Sequence, residues 1–178
     1  MNSYLAGMLI GDGCKQKRKN GAYAVWIDQH KRNYKIIEKI TEILKGKFKL
    51  YIYKVPGNKI RVLTYSKELF VWFEKISNDV TGFFNGLANE EKKKFIAGFF
   101  DAEGTVTDRL VIYNSDKVLL EAIQKFLNNL GIVSHIYKFG KIFGLQIYRR
   151  SSIRIFQNEI KTVKFENSSF WLKNIAGC

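Results

Sequence analysis

Two acids, Asp12 and Glu103, stand in the same local setting 91 residues apart. Each is followed by a glycine, Gly13 or Gly104. Each is preceded by small residues four apart, Gly7 and Gly11 in one stretch, Gly98 and Ala102 in the other. On a helix, positions i and i+4 share a stripe, and a stripe of small residues lets two backbones approach closely. Two parallel helices pressed together along such stripes bring their C-terminal ends together, and Asp12 and Glu103 with them. A helix C-terminus already carries partial negative charge, so adjacent carboxylates there are unfavourable unless a cation arrives. Carboxylate oxygens suit Mg2+, with Mn2+ or Ca2+ able to take the same place. The backbone carbonyls of Gly11 and Ala102 are further ligand candidates. Divalent ions so held beside a phosphodiester activate water and stabilise the leaving oxygen. One acid before one glycine would be an ordinary solvated helix end; the duplication of the whole setting argues for chemistry.

The elements that must position these acids are duplicated as well. Tyr4-Leu-Ala-Gly-Met-Leu-Ile-Gly-Asp-Gly13 matches Phe95-Ile-Ala-Gly-Phe-Phe-Asp-Ala-Glu-Gly104. Downstream, Val25-Trp-Ile-Asp-Gln29 matches Leu110-Val-Ile-Tyr-Asn114, and Lys35–Leu44 matches Val118–Leu127. Lys59-Ile-Arg-Val-Leu-Thr-Tyr65 is aligned with Gly144-Leu-Gln-Ile-Tyr-Arg-Arg150. The offset drifts because the first half has the longer loop, Lys15–Gly21. Each unit reads as helix, two strands, helix, two strands, helix. Ile60 and Val62 alternate with Lys59, Arg61 and Tyr65, and Leu145 and Ile147 with Gln146 and Tyr148, as half-buried strands require. Helical spacing puts Ile36, Ile40, Ile43 and Leu44 on one face of one helix, and Leu119, Ile123, Phe126, Leu127 and Leu130 on one face of its partner. Gly131 stops the latter, and Gly13 and Gly104 stop the motif helices. Residues 1–77 form an N-terminal half, 78–88 a linker and 89–178 a C-terminal half. Asn89 caps the helix that opens the second half. Each half is small, so the two are expected to share one core, with Phe165, Phe170 and Trp171 packing the last segment against it.

Charge points to the partner. The chain has 178 residues, 30 of them Lys or Arg against 16 Asp or Glu, for a net charge of +14. The excess covers both halves, +9 over residues 1–88 and +5 over 89–178. A chain this basic meets a polyanion, most often nucleic acid. Lys15, Lys17, Arg18 and Lys19 form a basic loop suited to phosphates. Trp26, Tyr113, Arg109, Lys138 and Lys141 are further contact candidates. Cys14, Cys178, His30 and His135 are too scattered for a structural zinc site and read as free thiols and ordinary strand residues. The absence of a long apolar run and of a signal-peptide opening leads to the expectation of a cytoplasmic or organellar protein that is not secreted and meets no membrane.

Leu5-Ala-Gly-Met-Leu-Ile-Gly-Asp-Gly13 and Ile96-Ala-Gly-Phe-Phe-Asp-Ala-Glu-Gly104 resemble the LAGLIDADG family of homing endonucleases in its single-chain, two-motif form. The resemblance spans nearly the whole chain. It implies an α+β, pseudo-two-fold αββαββα fold, with two antiparallel sheets forming a DNA-binding saddle around a central two-helix interface. It implies a monomer that hydrolyses both strands across the minor groove of a long, asymmetric site, leaving short 3′ overhangs. The last acid of each motif, here Asp12 and Glu103, is the family's metal ligand and catalytic residue. Gln29 fits the family's glutamine at the end of the second strand, with Asn114 as its counterpart. Lys59 and Arg61 are the basic candidates of the fourth strand; the second half offers Gln146, Arg149 or Arg150 instead.

Two other functions sit on the same scaffold: a maturase that binds host intron RNA, and a DNA-binding protein that does not cut. Both usually lose a catalytic acid, and both acids are present here. No splicing block flanks the motifs, so an intron-encoded product is expected rather than an intein.

Overall fold

The computed structural model describes residues 2–166. Helix α1 (Ser3–Asp12) leads into strands β1 (Gly13–Lys17) and β2 (Tyr23–His30). After a single 3-10 turn at Lys31–Asn33 come α2 (Tyr34–Lys45), β3 (Leu50–Val55), β4 (Lys59–Tyr65) and α3 (Lys67–Asn78). A short helix α4 (Val80–Gly86) precedes α5 (Asn89–Glu103), β5 (Gly104–Val106), β6 (Leu110–Asn114), α6 (Lys117–Asn129), β7 (His135–Phe139), β8 (Ile142–Ile147), α7 (Arg150–Glu159) and α8 (Val163–Glu166). Each half carries one four-stranded antiparallel sheet, in the orders β1-β2-β4-β3 and β5-β6-β8-β7. The repeated αββαββα unit inferred from the motifs is therefore present twice.

The core is continuous across the halves. Leu5, Met8 and Leu9 of α1 and Phe95, Ile96, Phe99 and Phe100 of α5 belong to the same buried cluster as Val25, Ile27 and Val62 of one sheet and Leu110, Ile112 and Leu145 of the other. Ile36, Ile40 and Leu44 are buried on α2, and Leu119, Ile123, Phe126 and Leu127 on α6, matching their helical spacing. Ile43 and Leu130 are only partly buried. Helix starts are capped where a short polar side chain is available. Asn2 accepts from Leu5 N at 3.2 Å, Ser66 from Leu69 N at 3.1 Å and Asp116 from Leu119 N at 3.0 Å. Gly131, at φ +80°, ends α6 as expected.

Four details differ from the sequence reading. The stretch 78–88, read as the linker, carries a helix of its own: Asp79 accepts from Gly82 N at 2.8 Å and starts α4, which buries Phe84 against Phe95 and Phe126. Asn89 lies inside the first turn of α5, and Ala88 holds the cap position without a side-chain bond. The supposed loop from Lys15 is strand as far as Lys17. Gly13 and Gly104 stop their helices in extended backbone, at φ −76° and −80°, not in a left-handed turn. Glycine is needed there for space: a Cβ on Gly13 would lie 2.3 Å from Leu9 O, and one on Gly104 2.4 Å from Phe100 O.

Candidate nuclease centre at the paired helix ends

Helices α1 and α5 touch backbone to backbone. A Cβ on Gly7 would meet Phe95 O at 2.1 Å, and one on Gly98 would meet Tyr4 O at 2.0 Å. One turn on, a Cβ on Gly11 would be 2.4 Å from the Cβ of Ala102 and 3.7 Å from Glu103 Oε1. The small-residue stripes do what their spacing predicts, and Asp12 and Glu103 end up side by side. Burial raises the Asp12 carboxyl above its ordinary range, opposed by its bond from Gln29 and by the charges of Lys164 and Lys59. Burial, and then the charge of Asp12, push Glu103 up to about 7. Two partly desolvated carboxylates at two helix C-termini make a site that favours a bound cation.

The surroundings of the two acids are not symmetric. Strand alternation turns Val25, Ile27 and Gln29 toward the helices and Trp26, Asp28 and His30 away from them. Gln29, 5% exposed, donates from Nε2 to Asp12 Oδ2 and accepts from Asn33 Nδ2 at 2.9 Å. It fixes the carboxylate from behind. Its counterpart is Asn114, because Gly13 pairs Ile27 as Gly104 pairs Ile112. Asn114, however, spends its carbonyl on Asp116 N at 2.8 Å, starting α6.

Lys59 opens β4 opposite His30, and its charge is felt by Asp12. Arg61, one rung further, is held by Asp28 through two bonds of 2.7 Å and lies over the Trp26 ring at 4.9 Å. Asp28 holds it firmly charged, and Lys59 is left as the strand-borne cation coupled to Asp12. In the second half, Gln29 pairs Ile60 as Asn114 pairs Phe143, so the position equivalent to Lys59 is Ile142, not Gly144. The sequence alignment of β4 with β8 was two residues out of step, which preserves the alternation and so left no trace in it. Arg149 and Arg150 are off the strand: Arg149 holds the N-cap position of α7 without a side-chain bond and Arg150 is its first residue.

The faces of the sheets that look away from the helices carry Trp26, Asp28, Tyr51, Tyr53, Lys59, Arg61 and Tyr65 in the first half. The second half shows His135, Tyr137, Tyr113 and Gln146 there. Arg18 lies over the Tyr65 ring at 4.9 Å on this side. Lys15 does not: it pairs with Val25, packs over Phe70 and Phe73 and reaches Glu74 at 3.8 Å, all on the helix side. Lys17 follows the same parity, over Tyr23. Lys138 pairs Phe143 and shares the helix-side parity. Lys19 is exposed in the β1–β2 turn, and Arg109 is tied to Asp108 at 2.8 Å in the β5–β6 turn.

Two residues near the acids had not been singled out from the sequence. Asp101, fully buried, accepts from Tyr4 Oη at 2.8 Å, Val163 N at 2.9 Å and Lys164 N at 3.0 Å. Lys164 Nζ donates to the carbonyls of Ala102 and Gly104. The available signal was a difference between the copies: Asp101 stands where the first motif has Ile10. Among the described residues no cluster of three or more His, Cys, Asp or Glu could hold a metal ion. Two carboxylates with carbonyl, water and phosphate oxygens still fit Mg2+, which keeps several waters of its own.

The family model of a LAGLIDADG-like domain matches residues 90–161. The homing endonuclease I-DmoI of Desulfurococcus mucosus is 32% identical over 148 residues, covering 77% of this chain and 74% of that protein. The chain belongs to the LAGLIDADG homing endonuclease family. The crystal structure of I-DmoI in complex with DNA and Ca superposes with a TM-score of 0.71 at 28% identity, over 90% of this chain and 89% of that one. An uncharacterized protein of Methanocaldococcus jannaschii is 25% identical over 159 residues, 76% of this chain and 56% of that protein. The two sheets and the paired motif helices are thus the LAGLIDADG architecture, with no described helix long and apolar enough to cross a membrane.

Proposed function

We propose that this chain is a site-specific homing endonuclease that makes a divalent-metal-dependent double-strand break in a long, asymmetric DNA site, acting as a monomer through its two halves. The observation that carries this reading is the meeting of Asp12 and Glu103 at the ends of α1 and α5, each partly buried and each raised in pKa. Both acids are retained, which favours cutting over an RNA maturase or a binding-only protein on the same scaffold. Asp12 and Glu103, with the carbonyl of Gly11, are the groups that would hold Mg2+, which activates water and stabilises the leaving oxygen at a phosphodiester; the carbonyl of Ala102, the other candidate, accepts from Lys164 Nζ instead. Gln29 orients Asp12. Lys59 offers a positive charge to the scissile phosphate on its side. Trp26, Arg61, the outward tyrosines and Gln146 face the duplex, where base edges and phosphates are read. Lys15, Lys17 and Lys138 are on the other side of the sheets and add only to the long-range field.

The test is cleavage of plasmids carrying intron-insertion sequences, with Mg2+, with Mn2+ and with EDTA. Linearisation of one plasmid that needs the metal and disappears in Asp12→Asn and Glu103→Gln is the expected result. Both variants should still bind the target. Specific binding by the unmutated protein without cleavage would overturn the nuclease reading in favour of a binding function.

A further inference from the structure

We propose that Lys164 is the basic positioning residue of the second half of the centre, delivered from the C-terminal helix α8 instead of from a strand. The inference rests on the endonuclease reading above. In the first half, Asp12 has Gln29 behind it and Lys59 on the adjoining strand. In the second half the equivalent positions are Asn114, whose carbonyl is engaged by Asp116 N, and Ile142, which has no charge to offer. Among the described residues, no cation stands at the strand position equivalent to Lys59.

Lys164 enters from the opposite direction. Its ammonium bridges the carbonyls of Ala102 and Gly104, the residues on either side of Glu103. These are the carbonyls that a helix end leaves without a partner and where its negative pole lies. These two bonds fix the ammonium beside Glu103; burial pulls its pKa below the ordinary lysine range, and the charges of Asp101, Asp12 and Glu103 oppose that. Its approach is built, not incidental. Asp101 is fully buried and accepts from the backbone of both Val163 and Lys164, which docks α8 on the last turn of α5. Tyr4 closes the same carboxylate from α1. Phe165, next along, stacks on Phe100 and packs against Phe156. The second motif has an acid where the first has Ile10, and that acid anchors the segment carrying the lysine. Lys164 thus holds the Glu103 end of α5 in register: its charge reaches both acids, but its two carbonyl bonds are made on the Glu103 side alone.

The variant is Lys164→Met, which keeps the stem and removes the ammonium; Lys161→Met, an exposed lysine on the same segment, controls for charge alone. Plasmid cleavage with Mg2+ is followed for nicked and linear products, and amide hydrogen exchange is followed in metal-free protein. Lys164→Met should cut the first strand at near the unmutated rate and slow the second by on the order of tenfold to a hundredfold, as expected for loss of a charge-assisted contact, so nicked plasmid accumulates. Exchange at Gly104–Val106 should quicken without metal, and Lys161→Met should do neither. Equal slowing of both strands, or no change in strand ratio, would overturn the proposal, since a merely structural role loosens both halves. If the unmutated protein cuts no site, the endonuclease reading fails by itself. Unchanged exchange in Lys164→Met would then overturn the positioning role too.

Discussion

Replacing Gly98 by alanine should damage both stability and cleavage, although alanine is the better helix former. A Cβ at Gly98 would lie 2.0 Å from Tyr4 O, 2.8 Å from Tyr4 C and 3.1 Å from Met8 N. The obstructing atoms are backbone of α1, so no side chain can swing aside. Comfortable contact needs a separation of roughly 3.5 Å or more, so the helices must part by on the order of 1 Å. Overpacking of this kind costs about 1–3 kcal/mol, and backbone against backbone belongs at the top of that range or beyond. Alanine returns about 1 kcal/mol of helix propensity. The net loss is about 2 kcal/mol, or a Tm lowered by roughly 4–8 °C for a chain of this size. The same displacement spreads Asp12 from Glu103, and a misplacement near 1 Å costs about a hundredfold in rate. Thermal unfolding and plasmid cleavage read the two effects. Gly86→Ala is the control: nothing lies within 4 Å of its would-be Cβ, and it closes helix α4. It should leave Tm unchanged or raise it. A Gly98→Ala protein that melts no lower than the unmutated one and cuts as fast would refute the close-packing argument.

Other outcomes follow from the same geometry. Glu103, raised from 4.5 to about 7, keeps its proton in the folded state over a window where the unfolded chain has lost it. The stability it contributes is complete below pH 4.5 and is lost as pH rises through about 7. Metal-free Tm against pH should show this fall, and Glu103→Gln should flatten it; metal binding and cleavage should rise over the same interval, because the ion needs the carboxylate. Tyr4→Phe removes the hydroxyl bonded to buried Asp101 and should cost about 1–3 kcal/mol in denaturant unfolding. Lys59→Ala should lower the salt slope of target binding by about 1, whereas Lys15→Ala, on the helix side with Glu74, should leave that slope nearly unchanged. Equal slopes for the two variants would contradict the assignment of faces.

Much of this protein was legible in one dimension. A repeated motif with small residues four apart specifies a close helix pair, since only residues without bulk at those positions admit a second backbone, and Gly7, Gly11, Gly98 and Ala102 behave accordingly. Helical spacing found the buried faces of α2 and α6 because amphipathic periodicity is a local property. The two acids at the helix ends followed from the repeat. What required the tertiary structure was set by pairing across distance. The register of β8 against β6 moved the counterpart of Lys59 from Gly144 to Ile142, a two-residue slip to which alternation is blind. Strand parity, fixed only once β1 pairs with β2, turned Lys15 toward α3 and away from the face that carries Trp26 and Arg61. Lys164 is 61 residues from Glu103 in the chain and meets it only because buried Asp101 needs backbone partners. Local pattern thus determined the elements and the pair of acids, while long-range hydrogen bonding decided which cations stand beside them.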